Sequence, residues 1–270
     1  MNRDMTERND KIFDIIVQSY IETAEPVGSR TLSRHFDLGL SSASIRNVMA
    51  DLEEQGLLMQ PHTSAGRVPT DRGYRYWVDS LMQPAELTES EKQWVSKQLE
   101  KVKTIEGLAD KVSKIISELT ENAALLYIKN LKRISFLNHL LDELIDAHTI
   151  GDFLEEEPGI YIEGTARVFE QPEFQDLQNM RRLLRAFDEK YALLEILVND
   201  LQEVGVQVHI GSENIPENLG HVSLVVKDCY LAGVAIGGVA AVGPTRMKYP
   251  KVVAVVNFVA DTVSRTVNKF

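Results

Sequence analysis

A single cysteine, Cys229, stands in 270 residues, so neither an intrachain disulfide nor a four-thiolate zinc site can form within the chain. Long apolar runs are missing as well. The longest uncharged stretch, Cys229–Thr245, has 17 residues and contains four glycines and a proline, short of the roughly 20 apolar residues a bilayer span needs. The opening MNRDMTERNDKIFD lacks the apolar core of a secretory leader. A reducing, cytoplasmic setting with no membrane partner is therefore expected. Positive charge is in short supply: 29 Lys and Arg face 40 Asp and Glu, a net charge of −11. That excludes a protein that coats nucleic acid without regard to sequence, because such coating needs basic surface throughout. No internal repeat or low-complexity run is present. With 44% hydrophobic and 26% charged residues, wholesale disorder is excluded too.

What is there suits two cores, since a domain commonly takes about 100–200 residues. The expected division is a first domain at 1–82, a linker and long helix at 83–121, and a second domain at 122–270. In the first part Thr6 is placed to cap a helix with Ile12, Ile15, Ile16, Ser19 and Tyr20 on one face. Pro26-Val27-Gly28 breaks it. Ser29 then caps a short helix to about Phe36, and Asp37-Leu38-Gly39 makes a tight turn. Ser41 or Ser42 caps a third helix that runs to Gln55, with Gly56 where a terminating glycine belongs. Ile45, Val48, Met49 and Leu52 fall at i, i+3, i+4 and i+7, which is one buried stripe. Leu57–Gln60 and Gly66–Pro69 flank PHTSA as a hairpin, and Asp71–Met82 returns to helix. Pro84 and Glu86–Glu91 mark a linker, followed by a helix from Glu89 to Glu118.

The second domain mixes strands at Ala123–Lys129, Arg133–Leu137, Gly159–Glu163, Val206–Gly211, His221–Lys227 and Gly233–Val242. Helices are expected at Asn138–Leu154, Pro172–Asp188, Lys190–Val204 and Tyr249–Val267. The reading is an α+β protein with an α/β or α+β second module.

Helix, turn, helix and hairpin in that order make a winged helix-turn-helix. The major groove of B-DNA admits a helix whose outer face reaches base edges. With the aliphatic stripe turned inward, Ser42, Ser44, Arg46, Asn47 and Ala50 point outward. Arginine pairs bidentately with guanine and asparagine with adenine, whereas serines at a helix start suit phosphate oxygens. The hairpin loop offers His62 and Ser64, and Arg67 follows it, suited to the DNA backbone or a minor groove. Arg72 and Arg75 either meet phosphates or lie on a solvated face. Ser29 and Arg30 at the start of the second helix complete the candidate set. Gln60–Trp77 holds three arginines against one aspartate, a local basic patch that fits a site-specific binder.

The segment Glu22–Asp79 closely resembles the N-terminal domain of the heat-inducible transcription repressor family HrcA, through EPVGSRTL, SSASIRNVMADLEEQGLL and PHTSAGRVPTDRGYRYWVD. Tyr161–Phe174 (YIEGTARVFEQPEF) and Gly238–Tyr249 (GVAAVGPTRMKY) resemble that family's core signatures. The resemblance implies a repressor of chaperonin and chaperone genes that binds an inverted-repeat operator as a dimer. It implies a GAF-like second domain and a chaperonin as co-regulator. No cofactor is expected. Carried over by position, the reading helix is Ser42–Gln55 and the wing Met59–Val68. The family usually has a sizeable insertion where this chain has only 138–157, so the insertion is expected to be reduced and the dimer contact altered. The rival reading is a metabolite-gated winged-helix regulator whose GAF-like domain binds a ligand. Its sign would be a sizeable pocket with convergent polar groups.

Other chemistry finds no constellation. His35, His62, His139, His148, His209 and His221 show no metal-ligand spacing. Gly243-Pro244-Thr245-Arg246 lacks the lysine–serine pair of a phosphate-binding loop and reads as a strand-to-helix turn. No serine sits in G-x-S-x-G. Cys229 reads as a buried small hydrophobe, and no enzyme activity is expected.

Overall fold

The computed structural model describes residues 6–128, 159–188, 205–214, 219–231 and 234–267. The chain divides into two compact units. The first is Met1–Gln83 with Thr245–Tyr249, and the second is Pro84–Pro244 with Pro250–Phe270.

In the first unit, α1 (Glu7–Thr23) starts at Thr6, whose hydroxyl accepts from the Asn9 amide. Its buried face is Ile12, Phe13, Ile16, Val17 and Ile21. This face is rotated from the expected one: Phe13, Val17 and Ile21 replace Ile15, Ser19 and Tyr20, which gives a buried face that is apolar at every position. Helix α2 (Ser29–His35) is capped by Gly28 and not by Ser29, with no side-chain cap bond. Ser29 is instead the first helical residue: the helix begins directly after Gly28, one residue beyond Val27, which pairs with Arg67. Gly39 then takes φ 61° in the turn to α3 (Ser42–Glu54). Of the two candidate caps it is Ser41 that serves, its Oγ accepting from the Ser44 amide at 3.1 Å. Gly56, at φ 72°, ends the helix.

The hairpin strands are short, β1 (Leu58–Met59) and β2 (Val68–Pro69), paired antiparallel. Thr70 caps α4 (Asp71–Ser80) and at the same time donates to the Gly56 carbonyl at 2.6 Å, so one side chain joins the end of α3 to the start of α4.

In the second unit the expected helix from Glu89 to Glu118 is two helices, α5 (Glu89–Glu100) and α6 (Ile105–Thr120). Each has its own cap. Thr88 and Glu91 form a reciprocal capping box, and Thr104 accepts from the Gly107 amide. A second good cap inside a helical pattern gives the backbone an alternative to continuing.

The sheet has the order β4-β3-β7-β6-β5 and is antiparallel throughout: β3 (Ala123–Ile128), β4 (Gly159–Glu163), β5 (Val206–Ile210), β6 (Val222–Leu231) and β7 (Val234–Pro244). A short helix, α7 (Thr165–Phe169), and a 3-10 turn (Pro172–Phe174) lead to α8 (Leu177–Asp188). The expected helix from Pro172 is thus interrupted. Asp176 accepts from the Gln178 and Asn179 amides, both at 3.1 Å, and starts α8 afresh. Helix α9 (Tyr249–Val267) closes the fold.

Strand alternation assigns the two sheet faces. One face, with Ala123, Leu125, Leu224, Val226 and Val242, packs on Val168, Phe174, Leu183 and Phe187 of α7, the 3-10 turn and α8. The other face meets α9, where Lys227 is held by Asn257 and Asp261, and the Tyr230 amide donates to Ser264 Oγ at 2.9 Å. The expected strand Arg133–Leu137, the helices Asn138–Leu154 and Lys190–Val204, and the reduced insertion at 138–157 lie outside the described residues.

Candidate nucleic-acid interface

On α3 the aliphatic stripe is buried as its spacing requires: Ile45 and Leu52 are fully covered, Val48 and Met49 nearly so. The opposite face carries Ala43, Arg46, Asn47, Ala50 and Glu54, all exposed. Arg46 and Asn47 are therefore free to reach outward, and the two alanines beside them leave room for a surface to approach the helix backbone. Ser42 and Ser44 are half-exposed at the helix start. Ser44 is partly committed, because its Oγ lies 3.0 Å from Ser41 Oγ.

Around this helix the candidates divide. Arg30 is exposed on α2, together with Arg34 and His35, which the sequence reading did not single out. The signal was present in SRTLSRH: with Leu32 buried, positions 30, 34 and 35 turn to solvent. Ser29 goes the other way and is buried. His62 and Ser64 are exposed at the hairpin tip. The tip is shaped from within, since the Gln60 amide donates to the Thr63 and Ala65 carbonyls, both at 3.0 Å.

Arg67 is half-buried and bonded to Glu53 of α3: Nε and Nη2 each reach Oε2 at 2.8 Å. Arg72 is exposed on α4 with no ion pair among the described residues. Arg75, half-buried one turn later, pairs with Asp79 at 3.0 Å.

The sites set aside behave structurally. Arg246 donates to the Ile21 carbonyl at 2.7 Å, and Tyr249 stacks obliquely near Tyr74 and Trp77, with ring centres 5.9 and 6.4 Å away. The arginine of the GPTR turn thus donates to a carbonyl in the last turn of α1. Burial pushes the Cys229 thiol well above its ordinary range, with Asp228 adding to the effect, so the reactive thiolate is suppressed. A cleft beside it, lined by Leu108, Leu126, Ile236 and Val263 among others, is apolar and has room for about one water molecule. Among the described residues no group of three or more His, Cys, Asp or Glu is placed to hold a metal, and no helix is long and apolar enough to cross a membrane.

Comparison with known proteins decides the family. Residues 80–253 match the family described as HrcA protein C terminal domain. The chain is 34% identical to the heat-inducible transcription repressor HrcA of Moorella thermoacetica, covering 98% of each chain. It is 33% identical to that of Desulfitobacterium hafniense, covering 96% of this chain and 97% of the other. The chain belongs to the HrcA family.

These relatives are named heat-inducible transcription repressors, and the matches run through the first unit as well as the second. The first alignment is 340 positions long against a chain of 270 residues, so at least 70 positions of that relative face a gap here. This chain is a shortened member of the HrcA family. A solved structure described only as a hypothetical protein shares the fold, with a TM-score of 0.71 at 20% identity, covering 98% of this chain and 99% of that one.

Proposed function

We propose that the chain is a sequence-specific DNA-binding repressor of heat-shock genes that reads an inverted-repeat operator as a homodimer. In this reading the first unit works as a winged helix-turn-helix and the second as a GAF-like module that holds two copies together. The observation that carries it is the opposition on α3 of a buried aliphatic stripe and an exposed Arg46–Asn47 pair. Those two side chains suit guanine and adenine edges in a major groove. Ser42, Ser44, Arg30, Arg72 and Arg75 would take phosphates, and His62 and Ser64 would lie along the flanking backbone or minor groove. A net charge of −11 makes binding away from the operator weak, so discrimination rests on this one basic face. A chaperonin as co-regulator goes with the same reading; adding purified chaperonin is expected to raise operator affinity, and an unchanged affinity removes that part.

The deciding experiment is selection of bound fragments from genomic DNA with the full chain. A recovered inverted repeat supports reading by two symmetric copies; recovery of no preferred sequence removes the function proposed.

A further inference from the structure

Two contacts of Arg67 and one of its neighbour Gly66 converge at the base of the wing. The Arg67 backbone exchanges both hydrogen bonds with Val27, each at 2.9 Å. The preceding Gly66 is seated so closely that a Cβ there would lie 2.4 Å from the Val27 carbonyl oxygen and 2.7 Å from that of Pro26. Its guanidinium donates through Nε and Nη2 to Glu53 in the last turn of α3. The loop beyond is closed on itself by Gln60, leaving His62, Thr63 and Ser64 exposed at the tip. The wing is thus a loop with its own internal bonds, whose strands pack on α3 and α1; one half-buried ion pair ties Arg67 to α3, and one strand bridge ties it to the entry of α2.

We infer that the Glu53–Arg67 pair is a positioning strut that sets the angle of the wing tip against α3, and so the distance between the bases read by α3 and the DNA flank touched by the wing. The inference rests on the DNA-binding reading above. It assigns Arg67 a role other than phosphate contact. A guanidinium whose fork is held by a carboxylate carries a locally balanced charge and brings geometry in place of counterion release. Sharing both nitrogens with one oxygen also fixes the plane of the fork, which a lysine could not do.

The test uses the full chain and the inverted-repeat duplex recovered by selection with the unaltered protein. Glu53→Gln, Arg67→Gln and the double variant are compared for affinity, salt dependence, hydroxyl-radical footprint and thermal midpoint. The strut predicts that each single variant loses about tenfold in affinity and that the double is no worse than either. The salt slope stays unchanged, and sugar protection at the flank is lost while protection under α3 remains. Arg67→Lys recovers only part of the affinity.

A fall in salt slope of about one with Arg67→Gln alone, while Glu53→Gln binds as well or better, would overturn the strut in favour of a phosphate contact. Lower thermal midpoints with unchanged footprint and affinity would overturn it in favour of a purely structural pair. Failure of the unaltered chain to select any duplex would instead remove the DNA-binding reading, and this inference with it, before any variant is made.

Discussion

The phenol of Tyr76 donates to Asp10 Oδ1 across 2.7 Å, and one residue on, the Trp77 indole donates to Asp14 Oδ1 at the same distance. These two bonds join α4 to the first half of α1, and so close the first unit across more than sixty residues of chain. Helix α3 packs directly on α1 as well, so α1 is the element that α3 and α4 share.

The Tyr76 bond has a consequence at high pH. Partial burial, then the hydrogen bond and charge of Asp10, push its phenol up to about 12 from an ordinary 10. A folded-state pKa above the unfolded one contributes stability that is present below pH 10 and is lost as pH rises toward 12. Denaturation midpoints measured across this window are expected to fall with pH, and to fall less steeply in Tyr76→Phe. Ultraviolet titration showing Tyr76 ionising at the ordinary value would contradict the expectation.

The acid side has a counterpart in the second unit. Glu91 is held down to about 2, first by the hydrogen bond from Lys251 and then by the backbone and side chain of Thr88. A depressed carboxylate contributes stability above its unfolded value near 4.5, lost as pH falls through the folded one. Acid unfolding is expected to steepen between these values. In Glu91→Gln the steepening is reduced, read as the difference in denaturant midpoint between neutral pH and pH about 3.

Arg46→Ala and Asn47→Ala are each expected to cost about 1–3 kcal/mol on the selected duplex and far less on unrelated DNA. Competition binding against scrambled duplex checks this. Equal loss on both would show that the side chains contact phosphate and do not read bases.

Ala24 ends α1 in the left-handed region at φ 56°, a place where glycine has no Cβ to accommodate. Ala24→Gly is expected to stabilise the chain by about 0.5–1 kcal/mol, the relief of left-handed strain exceeding the added freedom of the unfolded glycine. Chemical denaturation is the measurement, and a neutral or negative change would show that the cap is not strained.

Gly73 sits where α4 crosses the Leu57 carbonyl: a Cβ there would lie 2.1 Å from the oxygen. Gly73→Ala is expected to cost about 2 kcal/mol or more, since backbone must move to admit the methyl. Gly39→Ala is the milder control, meeting no atom within 4 Å and only the strain of φ 61°.

The local pattern alone determined much of α3 and its surroundings. The stripe Ile45, Val48, Met49 and Leu52 shows which side of α3 is buried, and hence that Arg46 and Asn47 face out, because a 3.6-residue period leaves no other arrangement. The cap Thr6, the glycines 39 and 56 and the hairpin were likewise readable, and the cap of α3 was narrowed to Ser41 or Ser42, each being a matter of a few neighbouring residues. What the tertiary structure decided were contacts between segments distant in sequence. Val27 is drawn into a bridge with residue 67, forty positions on, and Ser29, two residues later, is buried in the first turn of α2. Arg67 turned from a free cation into the partner of Glu53. The order β4-β3-β7-β6-β5 was equally out of reach, since strand patterning reports which side of a strand is buried and carries no label for the neighbour it will meet. A hydrophobic period is a property of one helix or strand, whereas an ion pair or a strand order is a property of two, and only the folded chain brings the two together.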